Sequence, residues 1–150
     1  MERFLGRHPK RIDAKGRVSI PAPFRAVLVR DGFEGLFCVR ALSQPAVEAG
    51  GHALIRQIDA VVDAHDPFSP EHLLLATTLM GAGDTLTIDG EGRIVVPDWI
   101  RTATGAADEL VFVGLGQKFQ IWAPEAFGRF EAEAREAAAA LIARTRGGAA

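Results

Sequence analysis

The sequence predicts an α+β fold in which two related β-rich units are joined by helices and followed by a last helix. Three observations predict it. A segment near the start recurs near residue 88, apolar residues alternate with period two inside both copies, and helical apolar spacing is confined to stretches between and after them. With 150 residues, 48% hydrophobic and 24% charged, the chain can bury a core without a disulfide framework or structural metal.

The repeat defines the units. Ile12 to Arg25, IDAKGRVSIPAPFR, aligns without gaps on Ile88 to Arg101, IDGEGRIVVPDWIR, with six of fourteen positions identical. These are Ile12/Ile88, Asp13/Asp89, Gly16/Gly92, Arg17/Arg93, Pro21/Pro97 and Arg25/Arg101. A looser correspondence follows, LFCVRA from Leu36 with KFQIWA from Lys118. In each copy Asp-x-x-Gly predicts a type I turn closed by glycine at positive φ, so Gly16 and Gly92 are structural and Asp13 and Asp89 accept backbone N–H bonds within the turn. The turn predicts a hairpin whose returning strand starts at Arg17 or Arg93. Pro21 and Pro97 end these strands and suit the first turn of short helices, which face the core with Phe24, Leu28 and Ile100; Gly105 fits the left-handed position after the second.

The remaining elements follow from spacing. Leu54, Ile55, Ile58, Val61 and Val62 predict an amphipathic helix broken at HDPFSP, and Ser69 with Pro70 caps another that ends near Gly81. ELVFVGLGQKFQIW reads as a hairpin turning at Gly114 and Gly116. Ala123-Pro124-Glu125 opens a helix with a stripe of Phe127, Phe130, Ala134, Ala137, Ala138, Leu141 and Ile142, an i,i+4 spacing that suits a Glu131–Arg135 pair, and a GGAA end that should fray. That stripe is mainly alanine opposite an acidic face, which suits core or subunit contact and not a membrane.

Little in the chain suits catalysis. The single cysteine, Cys38, sits in an alternating strand and reads as a buried, inert thiol. His65, Asp66 and His72 span a proline-broken turn without the i,i+4 spacing of a metal helix. GAGD and GLGQ match no nucleotide-binding loop, and no Gly-x-Ser-x-Gly elbow occurs. Asp13 and Asp89 could be imagined as an acid–base pair, but turn geometry and the neighbouring arginines account for both. The expectation is therefore no enzyme, cofactor or metal. No apolar run of ~18 residues occurs and the charged start lacks a signal-peptide pattern, so no membrane is expected and the cytoplasm is.

Charge gives the positive signal. Residues 1 to 25 carry seven bases against two acids, while the other 125 carry ten against seventeen. Lys10, Arg11, Lys15 and Arg17 are expected around the first hairpin tip, whereas Glu91 replaces the lysine in the second. For a nucleic-acid partner, Arg17 suits base edges or phosphates through its planar fork, and Lys10 and Lys15 suit phosphates. Arg7, Lys10, Arg11, Lys15 and Arg17 are the candidate contacts of copy one. Arg93 is the candidate of copy two, where simple pairing with Asp89 explains it equally well.

These motifs resemble the MraZ family of bacterial transcriptional regulators over most of the chain. The family's two Asp-x-x-x-Arg motifs match Asp13 with Arg17 and Asp89 with Arg93, and IDAKGRVSIPAPFR, IDGEGRIVVPDWIR and VGLGQKFQIW follow its order and spacing. The resemblance implies two pseudo-twofold-related swapped-hairpin units of SpoVT/AbrB type forming a small barrel, over 8–52 and 83–126. A helical connection over 53–82 joins them, and the C-terminal helix reaches about residue 146. It further implies a closed homo-oligomeric ring, octamer or dodecamer, that is nucleoid-associated in the cytoplasm. Such a ring binds short direct repeats in double-stranded promoter DNA of the division and cell-wall gene cluster and often represses it. Carried over by motif, Arg17 leads DNA contact, with Lys15 beside it and Arg93 as its counterpart. The chain departs from the family at HLLLATTLMGAGD, where members often carry bases, and at Gln120, where a glutamate is common. A same-fold antitoxin or scaffold that binds a protein partner is the alternative; salt-sensitive binding to upstream DNA separates the two.

Overall fold

The computed structural model describes residues 2–149 and is a mixed α+β fold. In chain order, β1 (Arg7–Arg11) leads through the first Asp-x-x-Gly turn to β2 (Arg17–Ser19), α1 (Ala22–Asp31), β3 (Leu36–Arg40) and β4 (Ala46–Gly50). Then come α2 (His52–Asp63) and α3 (Pro70–Ala76), which runs on into a π-helical turn (Thr77–Gly81). The second copy supplies β5 (Asp84–Leu86), β6 (Arg93–Val95), α4 (Asp98–Thr104), β7 (Glu109–Gly114) and β8 (Phe119–Trp122), and α5 (Pro124–Ala149) closes the chain. Among the described residues no helix is long and apolar enough to cross a membrane.

The strands form a six-stranded sheet, β1-β7-β8-β4-β3-β5, and a separate two-stranded ribbon of β2 and β6. The expected small barrel is not closed. Its sheet ends on β1, where Pro9 has no N–H to donate, and on the three-residue β5, which leaves too few ladder groups to join the edges. The expected hairpins at the two turns are also corrected. Each turn closes as predicted, by Gly16 N–H to Asp13 O at 2.9 Å and Gly92 N–H to Asp89 O at 3.0 Å, but its arms then part. β1 pairs with β7, while β2 pairs with β6 of the other copy. Crossing between copies buries Val18 against Ile94, each 1% exposed, an enclosure that an isolated hairpin could not supply.

The looser repeat alignment is corrected as well. By position in the sheet, β3 corresponds to β7 and β4 to β8, so LFCVR matches ELVFVG and not the strand that contains Phe119. The β7–β8 hairpin forms as predicted, with Gly116 at φ +90°.

The core lies between the sheet, the ribbon and α1. Phe4, Phe24 and Phe119 meet there with ring centroids 4.8 to 5.3 Å apart, beside Leu28, Ile100 and Cys38. Complete burial pushes the Cys38 thiol pKa up, with Asp84 adding to the shift. A satellite cluster packs Leu54, Ile58, Val62 and Leu79 on Val39. Ser69 Oγ caps α3 by accepting the His72 N–H at 3.1 Å. Gln120 donates to Glu48 at 3.0 Å and accepts the Trp122 indole N–H at 2.9 Å, a bridge that a glutamate beside Glu48 could not make without repulsion.

α5 differs from its prediction in three ways. Phe127 and Phe130 dock on Trp122, but Leu141 and Ile142 stand more than half exposed, so only the first part of the stripe is packed. Glu131 pairs with Arg7, not Arg135, because the helix packs on β7 beside β1. The helix also runs to Ala149, past the expected end; Ala150 lies outside the described residues.

Candidate nucleic-acid interface

Each turn builds the same charged unit from one Asp and one Arg. The Asp13 carboxylate accepts the backbone N–H of Lys15 at 2.9 Å and of Arg17 at 2.8 Å, then the Arg17 Nε–H at 2.9 Å. Asp89 repeats this with Glu91 and Arg93 at 2.8 and 2.9 Å, and with Arg93 Nε at 2.9 Å. The Arg17 backbone N–H, helped by its guanidinium, holds the Asp13 carboxyl pKa below its ordinary value; the Arg93 backbone N–H does the same for Asp89. The bond to Asp89 in turn raises the Arg93 pKa. Both arginines are anchored through Nε, which leaves the two Nη groups of Arg17 at the far end of its fork to meet a ligand.

Strand alternation puts the two units on one surface. In the ribbon Arg17 lies opposite Val95, Val18 opposite Ile94 and Ser19 opposite Arg93. Val18 and Ile94 face the core, so Arg17, Ser19, Arg93 and Val95 share the outer face. A two-stranded antiparallel ribbon carrying two braced guanidinium groups has the width and donor geometry to enter a DNA major groove.

The two turns are not equivalent. Among the described residues, nothing beyond the chain neighbours of Gly16 lies within 4 Å of where its Cβ would stand, and Lys15 is exposed at the tip. The second turn is covered by Arg25 of α1, whose Nη1 donates to the Glu91 carbonyl at 3.0 Å and crosses the face of Gly92. Arg101, the repeat counterpart of Arg25, instead donates to the Ala107 carbonyl. Glu91 also reaches Arg93 Nη1 at 3.4 Å, whereas among the described residues the Arg17 Nη atoms meet no protein acceptor.

The other predicted cations do not converge. Lys10 and Arg11 are neighbours in a strand and so point to opposite faces; Lys10 is half-buried, and Arg11 is exposed with Asp108 at 3.8 Å. Arg7 pairs with Glu131 and lies 5.6 Å from the Phe127 ring centre, anchoring α5. Sequence reading missed Ser19 and Val95 as outward residues and Arg25 as a cover. The first two were within reach of the period-two pattern once the copies were paired with each other.

Comparison with known proteins places the chain among relatives. Residues 79–146 match the sequence model of a family described as "MraZ protein, putative antitoxin-like". A protein of Xanthobacter autotrophicus named Transcriptional regulator MraZ is 47% identical over 91% of this chain and 87% of its own length. Proteins of the same name from Methylocella silvestris and Parvibaculum lavamentivorans are 47% and 44% identical over 91% of the chain and 82% and 85% of theirs.

Proposed function

The chain belongs to the MraZ family of transcriptional regulators, and on that premise we propose that it is a sequence-specific DNA-binding regulator, not an enzyme. The observation that carries the reading is the outer face of the β2–β6 ribbon, where Arg17 and Arg93 are each braced by an aspartate and directed away from the core. Arg17 reads base edges, Lys15 supplies a phosphate contact at the open tip, and Arg93 contributes less because Glu91 and Arg25 hold its turn. Lys10 and Arg11 on β1 lead into the same turn and add positive charge near it, while Arg7, paired with Glu131, contributes least.

In this reading the pairings of β2 with β6 and β1 with β7 are those of two SpoVT/AbrB-like swapped-hairpin units, over 8–52 and 83–126, with the connection 53–82 between them. Copies assemble into a closed ring. Exposed Phe68, Leu73, Leu74, Leu141 and Ile142 supply apolar surface for such contacts. A ring suits the modest charge of one tip, since several tips on successive short repeats raise avidity by ~10² to 10⁴ where the spacing fits. The target is double-stranded promoter DNA of the division and cell-wall gene cluster, the effect is repression, and the place is the cytoplasmic nucleoid.

Gel-shift titration against the DNA upstream of its own reading frame tests this at several salt concentrations, beside a scrambled duplex. Preferential binding that weakens with salt and is lost in Arg17→Ala is expected. Absent or salt-independent binding would instead support a partner-binding scaffold.

A further inference from the structure

Val95 is an apolar side chain where a charged surface would be expected. It is 63% exposed at the end of β6, on the outer face of the ribbon and directly opposite Arg17. Its two chain neighbours explain why the exposure is not a packing accident. Ile94 and Val96 are 1% and 5% exposed, so alternation has already filled the core from this strand and leaves Val95 to face outward. The same position of copy one is Ser19, which lies opposite Arg93. The outer face therefore carries two Arg-centred pairs of different chemistry, Arg17 with a branched apolar group and Arg93 with a hydroxyl.

Resting on the DNA-binding reading above, we propose that Val95 is a specificity-determining residue that packs on the C5-methyl of a thymine next to the base pair read by Arg17. Among base edges in the major groove only thymine offers an apolar group, and aliphatic side chains are its usual partners. The spacing suits neighbouring base pairs. Directly opposed Cβ atoms in an antiparallel pair lie about 4.5–5.5 Å apart, between one and two base-pair rises of ~3.4 Å, so the two side chains reach base pairs one or two steps apart. The Asp13 bond to Arg17 Nε fixes one member of this pair, and the χ1-restricted valine is itself stiff, so the two are presented in a set register. Ser19, which can donate or accept, places no such demand at the other end of the ribbon.

The test removes single methyl groups from the DNA. The full-length protein is titrated with a duplex from its own upstream region, narrowed by footprinting, in which each thymine in turn is replaced by deoxyuridine. Wild-type protein should lose affinity roughly fourfold, the burial of one methyl-sized group, at a thymine within two base pairs of the position whose substitution no longer matters in Arg17→Ala. In Val95→Ala the same replacement should make no difference, while affinity for scrambled DNA stays as in wild type. Sensitivity to deoxyuridine that persists unchanged in Val95→Ala overturns the inference, as does its absence in wild type while Arg17→Ala still loses specific binding; the regulator reading then stands. A change in subunit stoichiometry of Val95→Ala also overturns it, by placing the residue between copies. If Arg17→Ala itself binds normally, the ribbon is not the reading surface and both fall.

Discussion

Arg25 lies across Gly92: a Cβ on that glycine would overlap the Arg25 guanidinium, whose Nη1 is held there by the Glu91 carbonyl. A helix of the first unit thus seals the turn of the second, and among the described residues nothing returns the cover to the first. Gly16 and Gly92 share positive φ, 79° and 80°, so backbone strain on substitution is the same and only the cover differs. Gly16→Ala should cost about 1–2 kcal/mol, and Gly92→Ala about 0.5–1.5 kcal/mol more by displacing the Arg25 bond. Urea unfolding of both variants, repeated in an Arg25→Ala background, checks this: the difference between the two glycines should vanish there.

Arg17→Ala should abolish preference for upstream over scrambled DNA while subunit stoichiometry is unchanged. Arg17→Lys should not restore it, because an ammonium lacks the planar fork that a bidentate base contact uses, worth about 1–3 kcal/mol. Competition gel shifts with both duplexes measure the loss.

Lys15→Ala should weaken binding to both duplexes alike. Losing one phosphate contact should make the slope of log K against log salt shallower by about 0.9. A salt series on the variant and wild type provides the comparison.

Arg7→Ala should act mainly on α5. The guanidinium pairs with Glu131 and lies over Phe127, so its removal should speed amide exchange in the first turns of that helix while affecting DNA affinity less than Lys15→Ala does. Hydrogen exchange and a gel shift on the same preparation separate the two effects.

Acid should loosen both turns. The folded-state values of Asp13 and Asp89 are lowered, so their contribution is complete above the ordinary carboxylate value, about 3.9, and is lost as pH falls through the folded values. The Asp13→Asn, Asp89→Asn double variant should be less stable at neutral pH and lose less on going below about pH 4. Parallel urea titrations at several pH values give both slopes.

What could be read in advance was whatever a few adjacent residues decide. Asp13, Gly16 and Arg17 make their turn among themselves, and Ser69 with Pro70 starts a helix locally. Pairing partners are another matter. Period-two alternation says that Val18 points inward without saying that Ile94 meets it, and it was the choice of partner that turned two hairpins into one ribbon. The same distance effect explains Glu131, whose partner Arg7 is remote in sequence. Lys10 and Arg11 illustrate a residue-level lesson: clustered charge along a strand is divided between two faces, so the basic tip reduces to Lys15 and Arg17.

The ribbon also imposes a schedule on synthesis. Val18 cannot find Ile94 until 76 further residues have been added, and β1 waits longer still for β7. At ~5–20 residues per second the ribosome needs about 4–15 s for that stretch. Throughout it, the nascent first half displays Val18, Ile20 and Phe24 with no shelter of its own making. The interval is an opening for chaperones, and for aggregation wherever translation stalls before the second turn emerges.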